Sequence, residues 1–182
     1  VEISAAESSV NDIVTFTTTG FDITIATSDY VYEINSVEDF LEINNKLFGN
    51  FRLMKDLDMA GVEFKGIGSV DTPFTGRFDG NGKSLLNVRV TIDGKIENKK
   101  GLFNVTKKAT IQNLGVAGIA FVGSMDSGDN SVDLGGLVGA ARETTIEQCY
   151  VTGYILGRDH VGGLVGGDNN GTTINNCYVD AI

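Results

Sequence analysis

One short pattern recurs along the second half of the chain, and it limits what the chain can fold into. Four segments superpose: Ser84-Leu85-Leu86-Asn87-Val88-Arg89-Val90, Thr110-Ile111-Gln112-Asn113-Leu114-Gly115-Val116, Thr145-Ile146-Glu147-Gln148-Cys149-Tyr150-Val151 and Thr173-Ile174-Asn175-Asn176-Cys177-Tyr178-Val179. At the second position the spacings are 111 − 85 = 26, 146 − 111 = 35 and 174 − 146 = 28 residues. A second pattern interleaves with the first: Gly101-Leu102-Phe103, Gly136-Leu137-Val138-Gly139 and Gly163-Leu164-Val165-Gly166. Its leading glycine precedes the isoleucine by 111 − 101 = 10, 146 − 136 = 10 and 174 − 163 = 11 residues. Two patterns that keep their mutual spacing mark a repeat architecture, in which each unit buries its apolar face on the next.

A unit of this length winds one coil of short strands. In the first pattern the apolar residues stand at offsets 0, +3 and +5. The last two obey the strand period of two, and the step from 0 to +3 requires a bend. Asn87, Asn113, Gln148 and Asn176 sit at that bend, and asparagine tolerates the left-handed conformation. The reading predicts one inward ladder of Leu85, Ile111, Ile146 and Ile174, and another of Val88, Leu114, Cys149 and Cys177. The longer spacing between the second and third copies reads as an outward loop at 123–131.

Composition agrees with a coil of turns. The 182 residues hold 24 glycines and one proline, too many glycines for a helical bundle. The net charge of −10 disfavours nucleic acid and anionic membranes, whose phosphates need excess Lys and Arg. No run of about 20 apolar residues is present, so membrane insertion is not expected. The chain begins at Val1 with no signal peptide, as a piece of a longer polypeptide would.

Residues 36–48 read as a capping helix. Ser36 and Asp39 approximate a capping box, and Val37, Phe40, Leu41, Asn44, Leu47 and Phe48 form one stripe. Strands flank it, and such a helix would cover the open end of a solenoid. Residues 1–29 read as a β segment: a hairpin around Gly20, an edge packed on the solenoid, or the tail of a preceding domain. The solenoid itself spans 30–182.

Asn50-Phe51-Arg52-Leu53-Met54-Lys55-Asp56-Leu57-Asp58-Met59-Ala60-Gly61, Phe74-Thr75-Gly76-Arg77-Phe78-Asp79-Gly80-Asn81-Gly82 and the Gly-Gly-Leu-Val-Gly blocks with Asn-Cys-Tyr-Val together resemble the GLUG-repeat family. Segments of that family occur in bacterial surface adhesin-like proteins and in the non-catalytic N-terminal region of IgA-peptidase-like zinc metallopeptidases. The resemblance covers roughly residues 30–182. It implies an all-β chain wound as a right-handed parallel β-helix, secreted to a bacterial cell surface. The peptidases' His-Glu-x-x-His is absent here, since the chain has one histidine.

Few residues suggest chemistry. His160 and the two cysteines lack zinc-ligand spacing, so no metal site is expected and His160 reads as a surface residue in a turn. Cys149 and Cys177 occupy one repeat position, within disulfide reach if their coils are adjacent, but they read as buried free thiols. Asp56, Asp58 and Asp79 are the best group for acid–base work, as in solenoid pectinases, but no cleft is evident. Calcium could sit at Asp126-Ser127-Gly128-Asp129-Asn130 or Asp168-Asn169-Asn170-Gly171, which depart from the calcium-loop pattern; otherwise no cofactor is expected. Tyr150 and Tyr178 should point outward one above the other, to brace the wall or to bind a ligand.

The expected function is a non-catalytic structural or adhesive module that contacts a host or matrix glycan or protein. Two alternatives stand beside it: an accessory domain of a surface zinc metallopeptidase, and a polysaccharide-active β-helix enzyme.

Overall fold

The computed structural model describes residues 4–5, 13–17, 22–26, 30–92, 99–123, 133–157, 160–167 and 170–182. It is nearly all β, with a solenoid of about 4 turns. At the N-terminus Ser4–Ala5, Ile13–Thr17 and Asp22–Ala26 pair as an antiparallel sheet. Every strand pair named below is parallel.

Four strips of sheet run along the solenoid. The first wall stacks Val31–Ile34, Asn50–Leu53, Arg77–Asp79, Thr110–Gln112, Thr145–Glu147 and Thr173–Asn175. The second stacks Leu57–Asp58, Ser84–Leu86, Gly115–Gly123, Tyr150–Tyr154 and Tyr178–Ala181, and Arg89–Ile92 also joins Gly115–Gly123. The third strip holds Lys99–Lys100, Asp133–Gly135 and Val161–Gly162. The fourth holds Phe103–Lys107, Val138–Arg142 and Val165–Gly167.

Register decides which side chains share a column. On the first wall Tyr32, Phe51, Phe78, Ile111, Ile146 and Ile174 lie one above another. On the second wall the column is Leu57, Leu85, Val116, Val151 and Val179. Leu85 therefore does not belong with Ile111. Phe78 holds that place, and its spacing to Ile111 is 111 − 78 = 33 residues. Val88 is likewise displaced from the Leu114 and Cys149 position: its carbonyl accepts from Ala120 N, beyond the next bend.

The misalignment has a physical cause. Asn87 stands in the left-handed region at φ 56°, as do Asn113 at 53°, Gln148 at 51° and Asn176 at 51°. The same local bend thus serves two different corners of the coil. Leu85-Leu86-Asn87-Val88 copies it at the end of the second wall instead of the first.

Gly123, the first residue of the expected loop, is instead the last residue of the strand Gly115–Gly123. Residues 117–123 extend the second wall, because Ala120–Gly123 pair with Arg89–Ile92 after a register shift between Ala117 and Ile119. Residues 124–132, which include the rest of the expected loop, lie outside the described set.

The helix is shorter than its stripe predicts. It spans Val37–Leu41 and tightens into a 3₁₀ turn at Glu42–Asn45. The Ser36 side chain accepts from Asp39 N at 3.1 Å, and the Asp39 carboxylate accepts from Asn35 N at 2.9 Å. The run Ile43-Asn44-Asn45 has low helix propensity, and Asn44 is drawn away to Gly68 N at 2.9 Å and Gly66 O at 3.2 Å. Phe40 and Ile43 are fully buried, whereas Leu41 and Phe48 stay exposed.

The core changes character along the axis. Near the helix it is aromatic: Phe40 packs on Phe64 and Phe78, and Phe103 on Phe74 and Phe78, with ring centroids 5.0–6.2 Å apart. Towards the C-terminus it becomes aliphatic, with Ile111, Val116, Leu137, Val138, Ile146 and Val151 buried. The glycine-rich blocks close the turn between the third and fourth strips. A Cβ on Gly135 would lie 1.9 Å from the Val138 carbonyl oxygen, and one on Gly162 1.9 Å from that of Val165. No side chain fits there.

Two measurements follow from the columns. Ile146→Ala should cost about 3 kcal/mol in urea unfolding, while Ile174→Ala, at a position already 43% exposed, should cost about 1 kcal/mol or less. Gly135→Ala should cost about 3 kcal/mol despite its small size. Equal losses for the two isoleucines would contradict the register.

Candidate functional site

The carboxylates that suggested acid–base chemistry are bound to the chain itself. Asp56 accepts from Ser84 N at 2.7 Å. Asp58 accepts from Asn87 Nδ2 at 2.9 Å and Ala60 N at 3.0 Å. Asp79 accepts from Asn113 Nδ2 at 3.0 Å and Asn81 N at 2.9 Å, with Arg52 at 3.6 Å. The side-chain bond from Asn87, then the Ala60 amide, hold the Asp58 carboxyl below its ordinary range. Burial would raise Asp79, but Asn113, Asn81, Arg52 and Arg77 together outweigh it and keep Asp79 low as well. Each aspartate reaches from one coil to the next.

Tyr150 and Tyr178 do stack, with centroids 5.2 Å apart and planes 9° from parallel. The other side of Tyr150 lies over Gly115, where a Cβ would come within 2.5 Å of the ring, and its hydroxyl meets Ser84 Oγ at 2.9 Å. Both faces of Tyr150 are therefore covered, which leaves its edge for any ligand. Tyr178, 58% exposed, keeps one open face, directed along the solenoid axis. Beside Tyr150 a shallow depression of about 260 Å³ is lined by Gly82, Asn113, Leu114, Gly115 and Gln148.

Cys149 and Cys177 are both free thiols. Each donates to the carbonyl two residues earlier, Glu147 O and Asn175 O, at 3.2 Å. Burial pushes the Cys149 thiol up to about 12. Cys177 is only partly buried, because it stands on the last coil.

His160 has partners that its sequence neighbourhood does not reveal. Its Nδ1 lies 2.8 Å from Asp133 Oδ1, and the other Asp133 oxygen pairs with Lys99 Nζ. The Asp133 side chain is 4% exposed, and a Cβ on Gly167 would press on its carboxylate. This column joins residues 34 and 27 positions apart and of unlike type, so no repeat signal marks it.

Among the described residues no cluster of three or more His, Cys, Asp or Glu is placed to hold a metal ion. The turn 126–130 lies outside the described set, as do Asp168 and Asn169. Asn170 uses its carbonyl to accept from Glu143 N at 2.8 Å. No described helix is long and apolar enough to cross a membrane.

The outer face of the first wall carries two polar columns. One runs Asn50, Arg77, Thr110, Thr145, Thr173, and the other Arg52, Asp79, Gln112, Glu147, Asn175. Arg77 donates to Gln112 Oε1 at 2.9 Å across the coils. The result is a ladder of hydrogen-bonding groups repeating about every 4.8 Å.

Two solution tests follow. The ion-pair and hydrogen-bond contribution of Asp79 is present above its ordinary 3.8 and is lost as pH falls through the lower folded value. Asp79→Ala should therefore lower the unfolding midpoint at pH 7, and the gap to the parent should narrow in acid. Iodoacetamide at pH 8 should leave Cys149 unmodified in the folded chain and label it in urea, as read by peptide mass.

No family model matches the chain. No solved structure matches it. Among curated proteins it is similar to Halomucin of Haloquadratum walsbyi, with 31% identity over 154 residues, which take in 77% of this chain. The chain spans only 2% of that protein's length.

Proposed function

We propose that this chain is a non-catalytic structural module of a secreted surface protein, built on the GLUG-repeat plan and contacting a glycan or protein partner through a solenoid wall. The observation that carries the reading is where the chemically capable side chains go. Asp56, Asp58 and Asp79 bind backbone and amide groups of neighbouring coils, and Asp133 is held by Lys99 and His160. A carboxylate so engaged stabilises the stack, whereas general acid–base work needs one free to exchange a proton with substrate.

The first wall supports the contact. Its hydrogen-bonding columns lie on a parallel sheet, so a ligand with its own short repeat meets a hydrogen-bonding side chain at each coil. The likeness to a short stretch of a far longer protein suits a module set within a larger polypeptide. The same rigid wall would serve an accessory domain, but no feature of this chain favours a peptidase over another host.

The test pairs a glycan array with a turnover assay on acidic and neutral polysaccharides. Retention without release of reducing ends is the expected result, with retention weakened by Thr145→Lys on the first wall. Release of reducing ends by the parent chain, lost in an Asp56→Asn, Asp58→Asn variant, would show an enzyme and overturn the proposal.

A further inference from the structure

The depression beside Tyr150 has a cause in the register of the second wall. Ser84, Gly115, Tyr150 and Tyr178 stand one above another there. At Gly115 the column lacks a side chain, and the Tyr150 ring leans across that place until its hydroxyl meets Ser84 Oγ at 2.9 Å. A Cβ on Gly115 would stand 2.5 Å from both the ring and that oxygen. The bare glycine and the hydroxyl brace fix the ring before any ligand arrives. On the side of the preceding coil the rim is the turn at Gly82, tied down by Gly82 N to Asn113 O at 2.9 Å. A Cβ on Gly82 would meet nothing within 4 Å, so that side stays open. The strands around these residues all have a described strand on either side, so the depression belongs to the interior of the stack.

Its polar groups are set by the corner. Asn113 and Gln148 take the left-handed turn at φ 53° and 51°, and their backbone amides donate to Glu147 O and Asn175 O on the next coil, both at 3.0 Å. Asn113 gives its Nδ2 to Asp79 and keeps Oδ1 to accept. Gln148 is exposed, and its side-chain amide meets no partner among the described residues.

These groups select a ligand. No lining residue carries a charge to pair with an anion or a cation. Both faces of Tyr150 are covered, so a planar base has nothing to stack on. What remains is an amide pair and a ring edge above an uncharged floor of Leu114 and Gly115. A sugar ring matches this, because each hydroxyl both donates and accepts, as the amides require. The volume of about 260 Å³ falls below the roughly 300–1,000 Å³ of pockets for drug-sized ligands, which leaves room for one ring.

We propose that this depression is a binding subsite for one uncharged sugar ring of a polysaccharide, with the Gln148 amide and Asn113 Oδ1 bonding its hydroxyls and the Tyr150 edge bounding it. The subsite deepens the glycan contact proposed above and rests on it.

The test is proton–nitrogen correlation NMR of the whole chain, titrated with methyl α-glucoside, methyl α-mannoside and methyl β-galactoside to roughly 100 mM. Methyl β-glucuronide is the charged control. At least one neutral glycoside should give saturable shifts at Gly82, Gly115 and the Gln148 side-chain amide, unaltered by salt. Gln148→Gly suits the left-handed corner and should raise the dissociation constant roughly 5- to 10-fold. Gly82→Asn, tolerated at φ 70°, places a side chain at the rim and should abolish the shifts. Both variants should keep the far-UV circular dichroism of the parent. Shifts confined to Thr110, Gln112 and Thr145 would overturn the subsite and leave a glycan contact on the first wall standing. Shifts from the glucuronide alone, shifts indifferent to the Gln148 and Gly82 changes, or silence with every neutral glycoside would also overturn it. In that last case a glycan array that still retains the chain confines the failure to the subsite, whereas an array that retains nothing removes the glycan contact as well.

Discussion

Parallel pairing between successive coils, held in register along several strips at once, is the constraint from which the rest of this structure follows. A parallel strand pair cannot be closed by a tight hairpin, so the chain must travel a full circuit before it meets itself again. Each circuit sets like positions one above another, and the interior becomes a bundle of columns. Once Ile111 lies on Ile146, the places of Val116 on Val151 and of Phe103 on Val138 are settled by chain length and turn geometry.

The corners obey the same constraint through polar side chains. Asp58 ends a strand of the second wall, and Asn87, left-handed just past the matching strand of the next coil, bonds to it. Asp79 and Asn113 repeat the arrangement at the end of the first wall. One device thus joins coils at two corners and satisfies the acid and the amide together. The inner Thr144 hydroxyl does likewise with Thr106. Among the described residues no buried side-chain nitrogen or oxygen is left without a partner.

This shared device explains what could be read from the residues and what could not. Ile111, Ile146 and Ile174 keep the same residue at the same corner, so their alignment was visible. Leu85 carries the same local signature at a different corner, and local signature alone cannot say which corner it belongs to. The true neighbour of Ile111 on that side, Phe78, and Phe51 beyond it escaped because the column changes from aliphatic to aromatic. The Lys99, Asp133 and His160 column was illegible for a related reason: polar partners of unlike type replace likeness, and nothing in one residue type announces the next. The shortened helix arose from a side chain, Asn44, whose partners Gly66 and Gly68 lie on another part of the coil.

The passage from an aromatic to an aliphatic interior gives the molecule a direction that its repeats do not. Neighbouring coils hold each other only pairwise, so local opening costs whatever the nearest interface costs. The ring-packed segment beneath the helix buries the larger side chains, whereas the coils of Ile111, Ile146 and Val151 bury smaller ones. Opening a coil therefore costs most among the phenylalanines, which act as the anchor of the zipper and the natural place for folding to start.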